Sequence, residues 1–161
     1  MCIRDSYLAV LSADGTVTEV EPLSTSAPAT SIGSLAAHGN GVVLVAASWT
    51  TEPALVAATG TSTEVLREPR DLDLASGWLP VPEQIEFPTS SPAGRPEGEL
   101  EQAHALVYPP TSPDHEAPVG ERPPLVVLVH GGPTGSVRTQ LQLAVAFWTS
   151  RGFTVLSLIH I

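Results

Sequence analysis

Between residues 7 and 66 the apolar positions come in short runs separated by turn-forming residues, and no helical period is sustained over a window of about 11 residues. The pattern predicts strands at 7–11 and 16–20 around Asp14-Gly15, a dipeptide favoured in tight hairpins. Further strands are expected at 42–47 after His38-Gly39-Asn40-Gly41, and at 54–58 and 64–66 on either side of Thr59-Gly60-Thr61-Ser62. Four-stranded meanders with this spacing suit a blade of a β-propeller, although no second copy follows within the stretch.

Residues 67–82 read as a connector, in which charged Arg67, Glu68, Arg70, Asp71 and Asp73 give way to Trp78-Leu79-Pro80-Val81-Pro82. Prolines crowd into 80–124, so two structural units are expected on either side of this change in composition. Strands at 84–87 and 103–108 are expected to pair as an antiparallel hairpin, followed by a long irregular crossing over 109–124. The unbroken apolar run 125–129 predicts a central parallel strand covered on both faces. Leu141, Ala144, Val145 and Trp148 fall at helical spacing, Gly152 stands where a left-handed cap belongs, and Arg151 suits the negative end of the helix. A strand starting at Phe153 completes a β-loop-α-β unit with a right-handed crossover. The second half is therefore expected to be α/β and the first half all-β.

Composition narrows the partners. The 161 residues are 42% apolar, enough for a core, and carry 17 acidic against 7 basic residues for a net charge of -10. Every basic residue is arginine. A nucleic acid or an anionic membrane surface is a poor match for that sign of charge, and no apolar run reaches the roughly 18 residues of a spanning helix. Residues 1–6 lack the features of a secretory signal, so a cytoplasmic location is expected. Cys2 stands alone, no HxxxH pair occurs, and no GxxxxGK loop is present, so neither a disulfide framework nor a metal or organic cofactor is implied. Oligomeric state is not legible.

The chemistry concentrates in His130-Gly131-Gly132-Pro133, which follows the expected buried strand and precedes the expected helix. That is the context of the oxyanion loop of α/β-hydrolases. Acyl transfer places negative charge on the substrate carbonyl oxygen, and backbone N–H groups held in place stabilise it without reorganising water. Glycine lets the backbone come close to that carbonyl, while Pro133 has no N–H and restricts the preceding residue. Gly132 N–H is the expected donor, with His130 shaping the loop by hydrogen bonding rather than acting as a base.

Residues 83–156 resemble the start of the catalytic domain of the prolyl oligopeptidase family of serine peptidases, closest to its acylaminoacyl-peptidase-like and dipeptidyl-peptidase-like branch. The resemblance is carried by Pro82-Glu83-Gln84-Ile85-Glu86-Phe87-Pro88-Thr89, Ala103-His104-Ala105-Leu106-Val107-Tyr108-Pro109-Pro110, Gly120-Glu121-Arg122-Pro123-Pro124, the stretch from Leu125 through Gly135, and Phe147-Trp148-Thr149-Ser150-Arg151-Gly152-Phe153. It implies the N-terminal part of an α/β-hydrolase domain over 83–156 preceded by the last β-propeller blade over 7–66. It also implies a parent enzyme that hydrolyses short peptides through a Ser/Asp/His triad and an acyl-enzyme.

The chain departs from the family's pattern in one respect that governs its chemistry. The Gly-x-Ser-x-Gly elbow, and the aspartate and histidine that follow it, belong downstream of the strand that starts at Phe153, and none is found. Neither Gly33-Ser34 nor Gly135-Ser136 supplies the elbow, Asp114 and His115 read as a solvated loop, and His38 and His104 read as a turn and a strand residue. No nucleophile or triad member is assigned, and the chain alone is expected to be inactive. A carboxylesterase or lipase using the same loop, or a non-catalytic binding module, remain open as alternatives. The terminal segments 1–6 and 157–161 resemble translated sequencing-adapter DNA and are expected to be artefacts, the alternative being ordinary terminal strands, which Leu158 and Ile159 would fit.

Overall fold

The computed structural model describes residues 9–19, 29–89, 101–132, 135 and 137–160. These contain three small sheets, one short α-helix and one 3-10 turn. Two compact units divide the chain: one comprises the residues up to Leu74 together with Arg138–Leu141, the other Ala75–Val137 with Gln142–Ile161.

In the first unit, β1 (Ala9–Leu11) and β2 (Val17–Glu19) form an antiparallel hairpin as expected. Asp14 closes it by accepting the Thr16 N–H at 2.9 Å, a bond that holds the Asp14 carboxyl below its ordinary range. The hairpin is a sheet of its own. The four-stranded meander is instead β3 (Ser31–His38), β4 (Gly41–Ala47), β5 (Ala54–Thr59) and β6 (Ser62–Arg67), antiparallel throughout and in chain order.

Strand β3 was not expected from the sequence. Its residues SIGSLAAH lack a β-branched run, and the strand is interrupted by a register shift between Gly33 and Leu35, where Ser34 takes a φ of 43°. Alternation places Leu44 and Ala46 of β4 opposite Val56 and Ala54 of β5 on one face, and these four residues make a buried cluster backed by Ile32, Val42 and Val65. Small side chains keep this core thin.

The second unit is built on a mixed sheet in the order β7-β8-β10-β9, with β7 (Glu83–Thr89), β8 (Glu101–Tyr108), β9 (Leu125–Leu128) and β10 (Thr154–His160). The β7–β8 hairpin matches the expectation from sequence, and Pro88 is tolerated because β7 lies at the sheet's edge. Its linking residues 90–100 lie outside the described residues. Strand β10 pairs antiparallel with β8, with a register shift between Leu158 and His160, and parallel with β9.

Two expectations are corrected here. The run 125–129 is not a central strand covered on both faces: β9 stands at the other edge of the described sheet, with Leu125, Val127 and Val129 at 55%, 51% and 60% exposure. An uninterrupted apolar run reports the absence of polar residues, and does not by itself reveal whether a second face is covered.

The helix α1 is also shorter than the spacing suggested, spanning Leu143–Thr149, so Leu141 lies before it and packs within the first unit. Its buried face is Val145, Ala146 and Thr149, whereas Ala144 and Trp148 turn outward. The end of α1 follows the sequence more closely. Gly152 has a φ of 85°, its N–H bonds to the Thr149 carbonyl at 3.1 Å, and the Phe153 N–H reaches back to Trp148 at 3.2 Å. This doubly bonded cap brings the Phe153 and Trp148 rings to 5.1 Å, the apolar contact that usually accompanies it. Arg151 donates from Nη1 to the Phe147 carbonyl at 2.9 Å and lies over the Phe147 ring at 3.7 Å. No described helix is long and apolar enough to cross a membrane.

Candidate functional site

The ladder that leads to the glycine loop starts where Thr154 N–H bonds to the Pro124 carbonyl at 2.9 Å, and β9 then pairs with β10 from Leu125–Thr154 to Leu128–Ser157. A parallel strand paired in this way aims its C-terminal end, and the loop after it, at the side where open α/β sheets place their ligands. Val129, His130, Gly131 and Gly132 leave the sheet at that end.

Gly131 and Gly132 are both exposed, and a side chain built on either would meet nothing among the described residues within 4 Å. Gly132 has a φ of 74°, in the left-handed region that glycine adopts with little penalty. Backbone at this point is therefore open to a ligand and carries a conformation other residues resist. Pro133, the fourth residue of the motif, lies outside the described residues.

Beneath the loop, both ring nitrogens of His130 are buried and have no hydrogen-bond partner among the described residues. The expectation that His130 would shape the loop through a hydrogen bond is therefore not met among them. Its ring instead lies against Gly135: a Cβ on Gly135 would come within 2.9 Å of His130 Nδ1 and closer still to the Gly131 carbonyl oxygen. Sequence reasoning gave Gly135 no role. The available signal was a third glycine three positions after Gly132, too short a cue to separate a turn from a close contact.

The other residues considered from sequence stay apart from this loop. His104 on β8 faces Glu86 across the β7–β8 hairpin, with Nδ1 3.3 Å from the carboxylate oxygen. His38 ends β3 opposite Gly41, Asp114 and His115 are exposed, and Ser34 sits at the irregularity of β3. Ser136 lies outside the described residues. Among the described residues no three His, Cys, Asp or Glu side chains gather as metal ligands.

A cleft of about 630 Å³ lies in the second unit, lined by Pro110, Ser112, His115, Pro123 and Arg151 among others. Pro123 precedes β9 and Arg151 precedes β10, so this cleft sits by the N-terminal ends of the parallel pair, away from the glycine loop.

By this cleft, Thr149 is fully buried, accepts a bond from the Thr111 hydroxyl at 2.8 Å and receives the Thr111 N–H on its carbonyl at 3.0 Å. The irregular crossing is thereby pinned to the end of α1. Tyr108, at the end of β8, is 2% exposed, and burial pushes its phenol up to about 12.

No protein-family model and no curated protein matches the chain. Solved structures do. A puromycin-hydrolysing peptidase from Mycobacterium tuberculosis superposes with a TM-score of 0.77 and 32% identity, over 96% of this chain and 22% of that one. A puromycin hydrolase matches at 0.77 and 32% over 94% and 22%, and its serine-to-alanine variant complexed with PGG matches at 0.76. The acylaminoacyl peptidase of Pyrococcus horikoshii, at 18% identity, a TM-score of 0.61 and coverage of 96% and 22%, shares the fold. The chain thus spans about a fifth of the length of the solved structures it matches, 22% in each of these cases.

Proposed function

We propose, for a chain that matches one segment of peptidases of the prolyl oligopeptidase family, that it is part of a serine peptidase acting on short peptides and carries one half of that enzyme's oxyanion hole. In this reading residues 83–156 are the N-terminal part of an α/β-hydrolase domain. The β3–β6 meander is the last blade of a preceding β-propeller, and residues 67–82 connect the two.

One observation carries the reading. The Gly131–Gly132 backbone is open and sits at the C-terminal end of a strand paired in parallel, with Gly132 in the left-handed region. There the Gly132 N–H donates to the carbonyl oxygen of the scissile bond as it becomes negative, when the nucleophile adds to the carbonyl carbon. One such donor is worth ~3 kcal/mol in the transition state. The nucleophile, its base and the second donor come from sequence beyond this chain, so the chain by itself turns nothing over. The PGG complex of a similar protein supports a short peptide as the ligand class. A peptidase is favoured over a carboxylesterase or lipase by the same set of matches, all named as peptidases or puromycin hydrolases. No metal or organic cofactor enters this mechanism.

The test is to sequence the source locus through both ends, express the complete frame, and assay it on aminoacyl-nitroanilides. We expect a frame that continues into a Gly-x-Ser-x-Gly elbow, turnover blocked by a serine-directed phosphonate, and none from these 161 residues. Turnover of esters but not of amides would transfer the enzyme to the esterase class, and a frame without the elbow would leave a binding module. The same sequencing decides whether residues 1–6 and 157–161 are foreign to the parent, as we propose.

A further inference from the structure

We propose that Gly135, outside the four-residue motif, is a positioning residue that sets the direction of the Gly132 N–H. The inference rests on the peptidase reading for its consequence in catalysis, but its geometry stands by itself. The Gly131 carbonyl and the Gly132 N–H belong to one planar peptide group, so the place where the oxygen is held fixes where the hydrogen points. That oxygen lies against the Cα of Gly135, at a distance that leaves no room for a side chain there.

On the same side of Gly135 stands the His130 ring, whose Nδ1 would be 2.9 Å from an added Cβ. Gly135 is thus the seat for both the Gly131 carbonyl and the His130 imidazole. The three glycines are there for different reasons. Side chains on Gly131 and Gly132 would meet nothing among the described residues, on the side where substrate would lie, and Gly132 needs its positive φ. Gly135 is outside the left-handed region, so an alanine there meets crowding alone and no backbone strain.

A methyl group at 135 should push the Gly131 oxygen away, rotate the peptide and carry the Gly132 N–H off its target. Misplacing a catalytic group by about 1 Å can cost on the order of 100-fold in rate. In the full-length enzyme, Gly135→Ala should therefore lower kcat by roughly 10- to 100-fold while KM stays within about twofold, the signature of an interaction made in the transition state. Gly33→Ala, at a glycine with open space around it, is the control and should leave kcat unchanged.

A second readout does not depend on activity. With histidine labelled at Cε1, the chain gives five ring signals, and that of His130 is assigned by its loss in His130→Gln. Gly135→Ala should move this signal and leave the other four in place, while Gly33→Ala moves none. An unmoved His130 signal together with an unchanged kcat overturns the proposal. A wild-type parent without hydrolytic activity sinks the peptidase reading instead, and a moved His130 signal still upholds the seat at Gly135. Should Gly135→Ala unfold the protein, the comparison passes to His130→Ala with and without Gly135→Ala. The crowding against the Gly131 carbonyl persists there, so kcat must still fall, and equal values refute the proposal.

Discussion

Thr30 and Thr139 exchange hydrogen bonds in both directions, the Thr30 hydroxyl donating to the Thr139 carbonyl and the Thr139 hydroxyl donating to the Thr30 carbonyl at 2.7 Å. The same segment is held a second time, by the Leu141 N–H on the Ser48 carbonyl at 2.7 Å, while Thr30 N–H is held by Ala47 at 2.8 Å. Residues 138–141 thus join the first unit through polar contacts that two β-branched side chains make possible, although they follow the glycine loop in sequence.

Replacing either threonine by valine keeps the shape and removes one donor, leaving a partly buried carbonyl short of a partner. Each substitution should cost about 1 kcal/mol, and the pair less than the sum, because both bonds depend on one alignment. Thermal unfolding of Thr30→Val, Thr139→Val and the double variant measures this as a midpoint lowered by roughly 2–4 °C for each single change. Additive losses would show that the two bonds form independently.

The cap of α1 gives a second expectation. Gly152 at φ 85° is the residue on which both capping bonds and the Phe153–Trp148 contact depend. Gly152→Ala should destabilise by about 1 kcal/mol, the cost of a Cβ in the left-handed region, and Gly152→Asn by less, since asparagine tolerates that region better. Denaturant unfolding of the two variants orders them, and an alanine variant as stable as the parent would mean that the turn has rearranged.

How legible these features were depended on whether a residue's reason is local. Gly152 and the Asp14-Gly15 hairpin were readable because φ and turn chemistry are properties of one or two residues. The β7–β8 pair was readable from two strand-like runs close together. Strand β3 was missed because Ser31–His38 is defined by its pairing with β4 rather than by its own propensity. The exposure of Val127 was missed because burial depends on what else covers the sheet. For the glycine loop, the residue types at 130–132 were enough to select it, but the seat at Gly135 is a contact across three residues that a motif does not record.

The exposed face of β9 makes a prediction about handling. Leu125, Val127 and Val129 project in a row at the edge of the described sheet, a pattern that invites pairing between copies. Val127→Thr keeps the β-branched shape and removes apolar area from the middle of that row. It should raise the fraction of the 161-residue chain that remains in solution after centrifugation at matched concentration, with the unfolding midpoint nearly unchanged. Equal recovery of the two proteins would place the source of aggregation elsewhere.

The alkaline limb of stability should be set by Tyr108. In the unfolded chain its phenol titrates near 10, while in the folded protein burial raises it to about 12, so the folded state keeps a proton that the unfolded state has lost. The associated stability is therefore fully present below pH 10 and is lost as pH rises from there toward 12. The sequence makes this window unusually clean, because the chain has no lysine and only two tyrosines, Tyr7 and Tyr108. Absorbance at the phenolate band should show one of the two ionising late, and Tyr108→Phe should abolish that late step while flattening the fall in unfolding free energy across the same interval. A late step that survives in Tyr108→Phe would assign the raised phenol to Tyr7 and remove burial of Tyr108 as its cause.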